Sequence, residues 1–390
     1  MALRANHTTA SPLAKRDPKL LGRDHPAMPL EVVAVEGSTV RDARGRTYVD
    51  FVMGWCVGNL GWNRPEIAER LARFHGPDYA MPAALYAPWL ELAERLLALV
   101  PGPLARVYRA TTGTEAVELA LRIAKEYTRR DRFVSIADDY HGNSLAVKET
   151  IERLIEPPLD GRALAQLETV LADRTVAALV MEPVIMNLGI ELPSLRFMQG
   201  AAALCEKYGT LFVADEVACG FGRTGRLFAY EHFDLRPDIV CLAKGLTNGA
   251  APLAATLATA RVADAVRGDV DFYVTFGWLP RACEVAIAVV EIWQREGPQI
   301  LANVAARETQ AIRRLHDMAL PDGYTARVKG VCIGIDLPEG SDAEGIADAC
   351  REQGLLIAGE EGQLSIYAAC TVDEATFDRG FDILADVLQP

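Results

Sequence analysis

Hydrophobic and polar positions alternate with two different periods along this chain. Residues 31–51 switch apolar and polar with a period of two around the turn Asp42-Ala43-Arg44-Gly45, which predicts a hairpin. Residues 65–74 and 88–99 each open with proline and carry helical spacing, so both predict helices. From about residue 105 short apolar runs alternate with amphipathic stretches. The runs lie at 133–137, 177–181, 211–214 and 239–243, and the helical stretches include 115–128 and 194–208. That alternation predicts an α/β fold, a mainly parallel sheet with helices on both faces. A long helix is expected around Trp293, followed by mixed helix and short strand, with a strand at 331–337. Residues 1–30, with Pro12, Pro18, Pro26 and Pro29, read as an irregular lead-in.

Each of the four apolar runs ends in reactive side chains. They close on Asp139-Tyr140-His141-Gly142, on Glu182-Pro183, on Asp215-Glu216 and on Lys244-Gly245. In open α/β sheets ligands sit beyond the carboxyl ends of the strands, so these runs deliver Tyr140, His141, Glu182, Asp215 and Lys244 to one edge. A single charged residue there is usually a solvated loop start; four in succession, one of them a lysine, predict a site. A lysine in apolar surroundings gives up its charge more readily and becomes a nucleophilic amine. A carboxylate such as Asp215 can hold a cationic ring nitrogen, the partner that pyridoxal phosphate needs to act as an electron sink. Val217, two residues on, falls on the same side if the chain stays extended, and Tyr140 can stack opposite it. Thr111-Thr112-Gly113-Thr114 precede a good helix, a pattern that serves either as a plain N-cap or as a phosphate cradle.

Composition narrows the partners. The chain has 390 residues, half of them hydrophobic, and a formal net charge of −13. Such acidity disfavours a nucleic-acid surface. No apolar run is long enough to span a membrane, and the first fifteen residues lack the apolar stretch of a secretory signal. The eight cysteines form no CxxC pair and several sit in apolar runs, which reads as reduced core cysteine in a cytoplasmic protein without a metal site. Neither GxGxxG nor a Walker-type GxxxxGK occurs, so a nucleotide-binding enzyme is set aside.

Taken together, LFVADEVACGFGRTGRLFAYEHFDLRPDIVCLAKGLTNG (211–249), TTGTEAVELALRIAK (111–125), DYHG (139–142) and MEP (181–183) resemble the class III aminotransferases, fold-type I enzymes that use pyridoxal 5′-phosphate. The resemblance runs from about residue 35 to 382. It implies a large domain (56–294) with a mainly parallel seven-stranded sheet, and a smaller α+β domain built from both chain ends (1–55 and 295–390). It implies that Lys244 forms the Schiff base and shuttles protons while Asp215 holds the pyridinium nitrogen. Val217 and Tyr140 sandwich the ring, Gly113 and Thr114 bind the phosphate, and His141 and Glu182 support the site. Thr275 matches a threonine that reaches a neighbouring subunit's phosphate, which implies a homodimer with shared active sites. Trp55, Cys56, Val57 and Trp278 fall where the family lines its substrate pocket.

The match is incomplete. Many members hold a substrate carboxylate with an arginine before Pro-Pro-Leu near the C-terminus; Ser365 stands there, in a segment closer to relatives of glutamate-1-semialdehyde aminomutase. The expected reaction is amino transfer between a small amine or amino acid and an oxo acid or aldehyde, with aminomutase or racemase chemistry as the alternative. Arg109, Arg223, Arg226 and Arg281 are candidates for holding an anionic group, and spacing does not choose among them.

Overall fold

A computed structural model describes residues 13, 16, 20, 28–270, 272–360 and 362–389. The expected lead-in therefore lies almost wholly outside the described residues. The centre of the molecule is a seven-stranded sheet. Across it lie Leu104–Ala110, Ala254–Thr259, Ile239–Leu242, Leu211–Asp215, Val176–Met181, Arg132–Ile136 and Ile151–Ile155. Ala254–Thr259 runs antiparallel to both of its neighbours, and the five strands from Ile239–Leu242 onward are parallel. Val176–Met181, Leu211–Asp215 and Ile239–Leu242 are buried at every position, as parallel strands covered on both faces must be.

The helix Gly113–Thr128 shows why the sequence folds this way. Thr112 caps it, accepting from the Glu115 amide, while the Glu115 carboxylate reaches back to Thr112 N–H. Its buried face is small, with Ala116, Ala120 and Ala124 among Val117, Leu119 and Ile123. Small side chains bring the helix close to the sheet, and Thr256 Oγ1 donates to the Ala116 carbonyl at 2.7 Å across that seam.

Three strands of the sheet were not singled out by sequence pattern. Ala254–Thr259 reads AATLAT, where alanine argues against a strand, yet it lies fully buried between two partners. Burial overrides propensity there. Leu104–Ala110 and Ile151–Ile155 are the two edges, where polar side chains blur the apolar run.

Two smaller sheets flank this core. Val32–Glu36, Thr39–Asp42 and Thr47–Asp50 form the expected hairpin and an added strand, and Asp42 Oδ1 accepts from the Arg44 and Arg46 amides in the turn. Leu355–Leu356, from the far end of the chain, pairs in parallel with Thr47–Asp50. The third sheet orders Thr325–Lys329, Cys332–Asp336, Gln363–Tyr367 and Ala358–Glu360. The long helix Pro280–Met318 joins the central and C-terminal parts. All eight cysteines are buried and unpaired. Among the described residues no helix is long and apolar enough to cross a membrane.

Candidate active site

Asp215 ends its strand and is 2% exposed. The adjacent strand pairs Cys241 with Asp215, and Lys244 follows three residues later. Lys244 has a φ of 40°, in the left-handed region. A non-glycine residue there costs about 1–2 kcal/mol, a strain typical of functional positions. Gly245 passes so close to the opposite wall that a Cβ would stand 3.0 Å from Phe221 Cβ and 3.1 Å from Asn59 Nδ2. The Lys244 charge works against the upward pKa shifts that burial imposes on Glu182 and Cys56.

The Asp215 carboxylate is oriented from two directions. Its Oδ1 accepts from the Val217 amide at 3.1 Å, and its Oδ2 is 2.9 Å from His141 Nδ1. The first bond turns the chain immediately after the strand, so Val217 reaches the site through a tight turn and not by extension. On the other side of the imidazole, Nε2 lies 2.7 Å from Ser135 Oγ and 3.3 Å from Asp139 Oδ2. Burial works against a charge on His141, but Asp139 and Asp215 outweigh it and raise its pKa to about 10. Glu182 is buried beside them and accepts from the Met186 amide at 2.9 Å. Burial, then the charges of Asp139 and Asp215, push its pKa well above the usual carboxylate range.

The helix start beside Val217 has the features of a phosphate cradle. Thr112 spends its side chain on the cap, so it is the N-cap and nothing more. Among the described residues the amides of Gly113 and Thr114 meet no acceptor, and they point out of a sixteen-residue helix. An added Cβ at Gly113 would come within 2.8 Å of Val217 Cγ1, and one at Gly142 within 2.6 Å of Thr114 Oγ1. Both glycines keep this corner open. Free amides at a helix N-terminus, a buried carboxylate and a lysine just beyond the neighbouring strand fit pyridoxal phosphate, since they offer partners to its phosphate, ring nitrogen and aldehyde.

Tyr140 is half exposed at the mouth, and its amide donates to Asn187 Oδ1 at 3.3 Å. Asn187 Nδ2 donates in turn to the Asp138 carbonyl at 2.6 Å, and Gln363 Nε2 donates to the Asn187 carbonyl at 2.7 Å. Asn187 and Ser135 were missed in the sequence. Asp139 was visible at its strand end, an acid two residues before a histidine, but was given no role there.

Other candidates land elsewhere. Trp278 is buried: it is 1% exposed, its Nε1 donates to the Ala254 carbonyl, and its carbonyl accepts from Trp89 Nε1. Cys56 is likewise turned inward at 3% exposed. The cause is a left-handed turn at Met53, Gly54, Trp55 and Cys56, with φ values of 47, 61, 59 and 65°. Asp50 braces that turn by accepting from the Val52 and Met53 amides and from Trp62 Nε1. The same turn lifts Trp55 to 43% exposure, its ring 6.1 Å from that of Tyr367. Val57 is half buried, packed against Gly249. Thr275 is exposed.

The four arginines also separate. Arg223 is fully buried and donates to the Tyr367 and Ala368 carbonyls and to Asn59 Oδ1, so it pins the C-terminal segment and faces no solvent. Arg226 and Arg281 are exposed. Arg109 stacks at 3.8 Å on Trp89 and donates to the Pro82 carbonyl. Ser365 is 4% exposed on the strand Gln363–Tyr367. Glu216, next to Asp215, points away: its carboxylate accepts from the Ala229 and Tyr230 amides, and burial pushes its pKa to about 8.

Comparison with known proteins agrees with this geometry. The family described as Aminotransferase class-III matches residues 21–151 and 156–388. An acetylornithine aminotransferase of Methanopyrus kandleri is 30% identical over 93% of this chain and 95% of its own. An adenosylmethionine-8-amino-7-oxononanoate aminotransferase of Anoxybacillus flavithermus is 32% identical over 81% of this chain and 79% of its own. Among solved structures, an acetylornithine aminotransferase from Elizabethkingia anophelis superposes with a TM-score of 0.83 at 26% identity, covering 96% of this chain and 98% of the other. An amine transaminase from an uncultivated Pseudomonas species, solved in its PLP-bound form, gives 0.85 at 26% identity, over 100% and 99% of the two chains. None of these relatives is an aminomutase or a racemase. A buried aspartate at one strand end, a lysine just beyond the next, a glycine-lined cradle and kinship over most of the chain lead to one family: the chain belongs to the class III aminotransferases, which transfer amino groups with pyridoxal 5′-phosphate.

Proposed function

We propose that Lys244 carries the cofactor and moves the substrate proton, and that Asp215 holds the cofactor's ring nitrogen. The observation that carries this reading is the pairing of the two strands, which sets Asp215 opposite Cys241 and brings Lys244 round three residues later. Pyridoxal phosphate, when bound, supplies an aldehyde that captures the substrate amine and a ring that takes up electrons released at the adjoining carbon. The Lys244 amine takes the proton from that carbon and returns it one position away, the work of a positioned general base. The free amides of Gly113 and Thr114 hold the phosphate at a helix N-terminus. Val217 and Tyr140 flank the ring, and His141 and Glu182 support the floor.

The amine donor, in this reading, is one whose recognition needs no arginine at position 365. In this reading Trp55 and Val57 give the pocket an apolar wall, as the family resemblance implies, and Arg223 is spent on backbone carbonyls. Small primary amines suit that wall better than a dicarboxylate does. The related amine transaminase is compatible with it. A donor panel tests the choice: an apolar primary amine should convert the bound cofactor faster than L-glutamate at equal concentration, and a clear preference for glutamate would overturn it.

We read the working unit as a homodimer. Thr275 stands beside Tyr273 and Phe276, 69% and 61% exposed, and Met81 and Leu85 are 66% and 95% exposed. Large apolar side chains concentrated on two segments ask for a cover, and a second copy supplies it while bringing Thr275 to the partner's phosphate. Residues 1–55 and 295–390 are read as the small domain, supported by the pairing of Leu355–Leu356 with Thr47–Asp50. Eight unpaired cysteines support a cytoplasmic setting.

A further inference from the structure

His141 sits in a cluster of groups from three strand ends. Ser135 comes from Arg132–Ile136, Asp139 from the loop after it, Glu182 from beyond Val176–Met181, and Asp215 from Leu211–Asp215. The Lys244 charge lowers the Glu182 pKa, against burial and the neighbouring carboxylates that raise it. His141 and Asp139 have side chains with no exposure, and Asp215 has 3%. Asp139 Oδ2 also accepts from the Glu182 amide at 3.1 Å, while its Oδ1 is buried and meets no partner among the described residues. Arg153 Nε donates to the Asp139 backbone carbonyl at 3.1 Å, and among the described residues the Asp139 carboxylate itself pairs with no cation except the imidazole.

Proton accounting decides the state of that imidazole. Nδ1 faces an acceptor-only carboxylate, so it carries a proton and donates to Asp215. In a neutral ring Nε2 would hold a lone pair. Ser135 could satisfy it, but the Asp139 carboxylate would then face that lone pair at 3.3 Å, acceptor against acceptor, in a dry interior. With a proton on Nε2 the ring donates on both sides. We propose that Asp139 is a positioning residue that holds His141 as an imidazolium, and that this cation in turn fixes Asp215 as an oriented anion beneath the cofactor ring. The line Asp139–His141–Asp215 then alternates minus, plus, minus, while Glu182, driven toward its neutral form, adds no further charge. The proposal rests on the reading of Asp215 as the partner of the ring nitrogen.

The test uses the full chain without cofactor, labelled with nitrogen-15 in its six histidines, with His141 assigned through His141→Gln. Wild-type His141 should stay protonated on both nitrogens from pH 6 to 9. In Asp139→Asn it should titrate within that range, because the amide removes the counter-charge and Ser135 can donate to a neutral ring. Asp139→Glu should restore the doubly protonated form. An Asp139→Asn protein whose His141 stays doubly protonated to pH 9 overturns the proposal. So does a wild-type His141 that titrates near 6.5, a result that needs no variant to fold. In the loaded enzyme Asp139→Asn should move the pH profile of cofactor absorbance and lower kcat more than it raises KM. Failure of the Asp215 assignment has a separate signature: Asp215→Asn would keep the wild-type cofactor affinity and absorbance profile, whatever His141 does.

Discussion

Nδ1 of His141 donates to Oδ2 of Asp215 across 2.9 Å, and both side chains are buried. This bond ties the charge of the site to the stability of the fold. Burial opposes the imidazolium, yet Asp139 and Asp215 raise its pKa to about 10, above the usual 6.5. A group whose pKa is raised on folding contributes stability that is complete below the unfolded value and is lost as pH rises through the folded one. Wild-type apoprotein should therefore lose stability between about pH 6.5 and 10, by at most about 1.4 kcal/mol per pH unit from this one proton. His141→Gln should be less stable at pH 6.5 and decline less steeply. Urea unfolding of both at matched pH checks this, and parallel curves would refute it.

Removing Lys244 should abolish transfer without unfolding the chain. Lys244→Ala should bind cofactor without the visible absorbance of the lysine-linked form and lose at least about 1,000-fold in amino transfer. Unchanged colour and turnover would reassign the base.

The cradle predicts a steric penalty. In Gly113→Ala the new methyl group would stand 2.8 Å from Val217 Cγ1. Overpacking of this kind costs about 1–3 kcal/mol, so the cofactor dissociation constant should rise roughly tenfold or more. Adding Val217→Ala should recover part of the loss, because the clash partner is gone. Equilibrium titration with cofactor measures both effects.

Two tryptophans should respond in opposite ways. Trp278 is core, so Trp278→Ala should cost about 3–5 kcal/mol of stability. The smaller change Trp278→Phe should lower the melting temperature and leave donor preference as it was. Trp55 is 43% exposed, so Trp55→Ala should change the order of preferred donors with little change in melting temperature. Thermal scans together with a donor panel separate the two.

These contrasts mark what could be read from sequence. The central strands were legible because apolar runs such as Ile239–Leu242 are buried on both faces and end abruptly in reactive residues. Lys244, Asp215 and Gly113 followed from that pattern and the family resemblance. The fate of Cys56 and Trp278 was not legible. Each sits at a positive φ, 65° and 61°, and a single left-handed residue reverses the face on which a side chain lands. The role of Asp139 was hidden for another reason: it exists only once His141 folds back against Ser135 and meets Asp215, 74 residues away in sequence.

The most direct test of the central claim is a spectral half-reaction. Purified holoenzyme is mixed with a single primary amine and its absorbance followed. Loss of the visible band to a near-ultraviolet one, reversed by an oxo acid and abolished in Lys244→Ala, is the predicted result. A protein that stays colourless with pyridoxal phosphate, or a Lys244→Ala variant that still interconverts the two forms at the wild-type rate, would contradict the account.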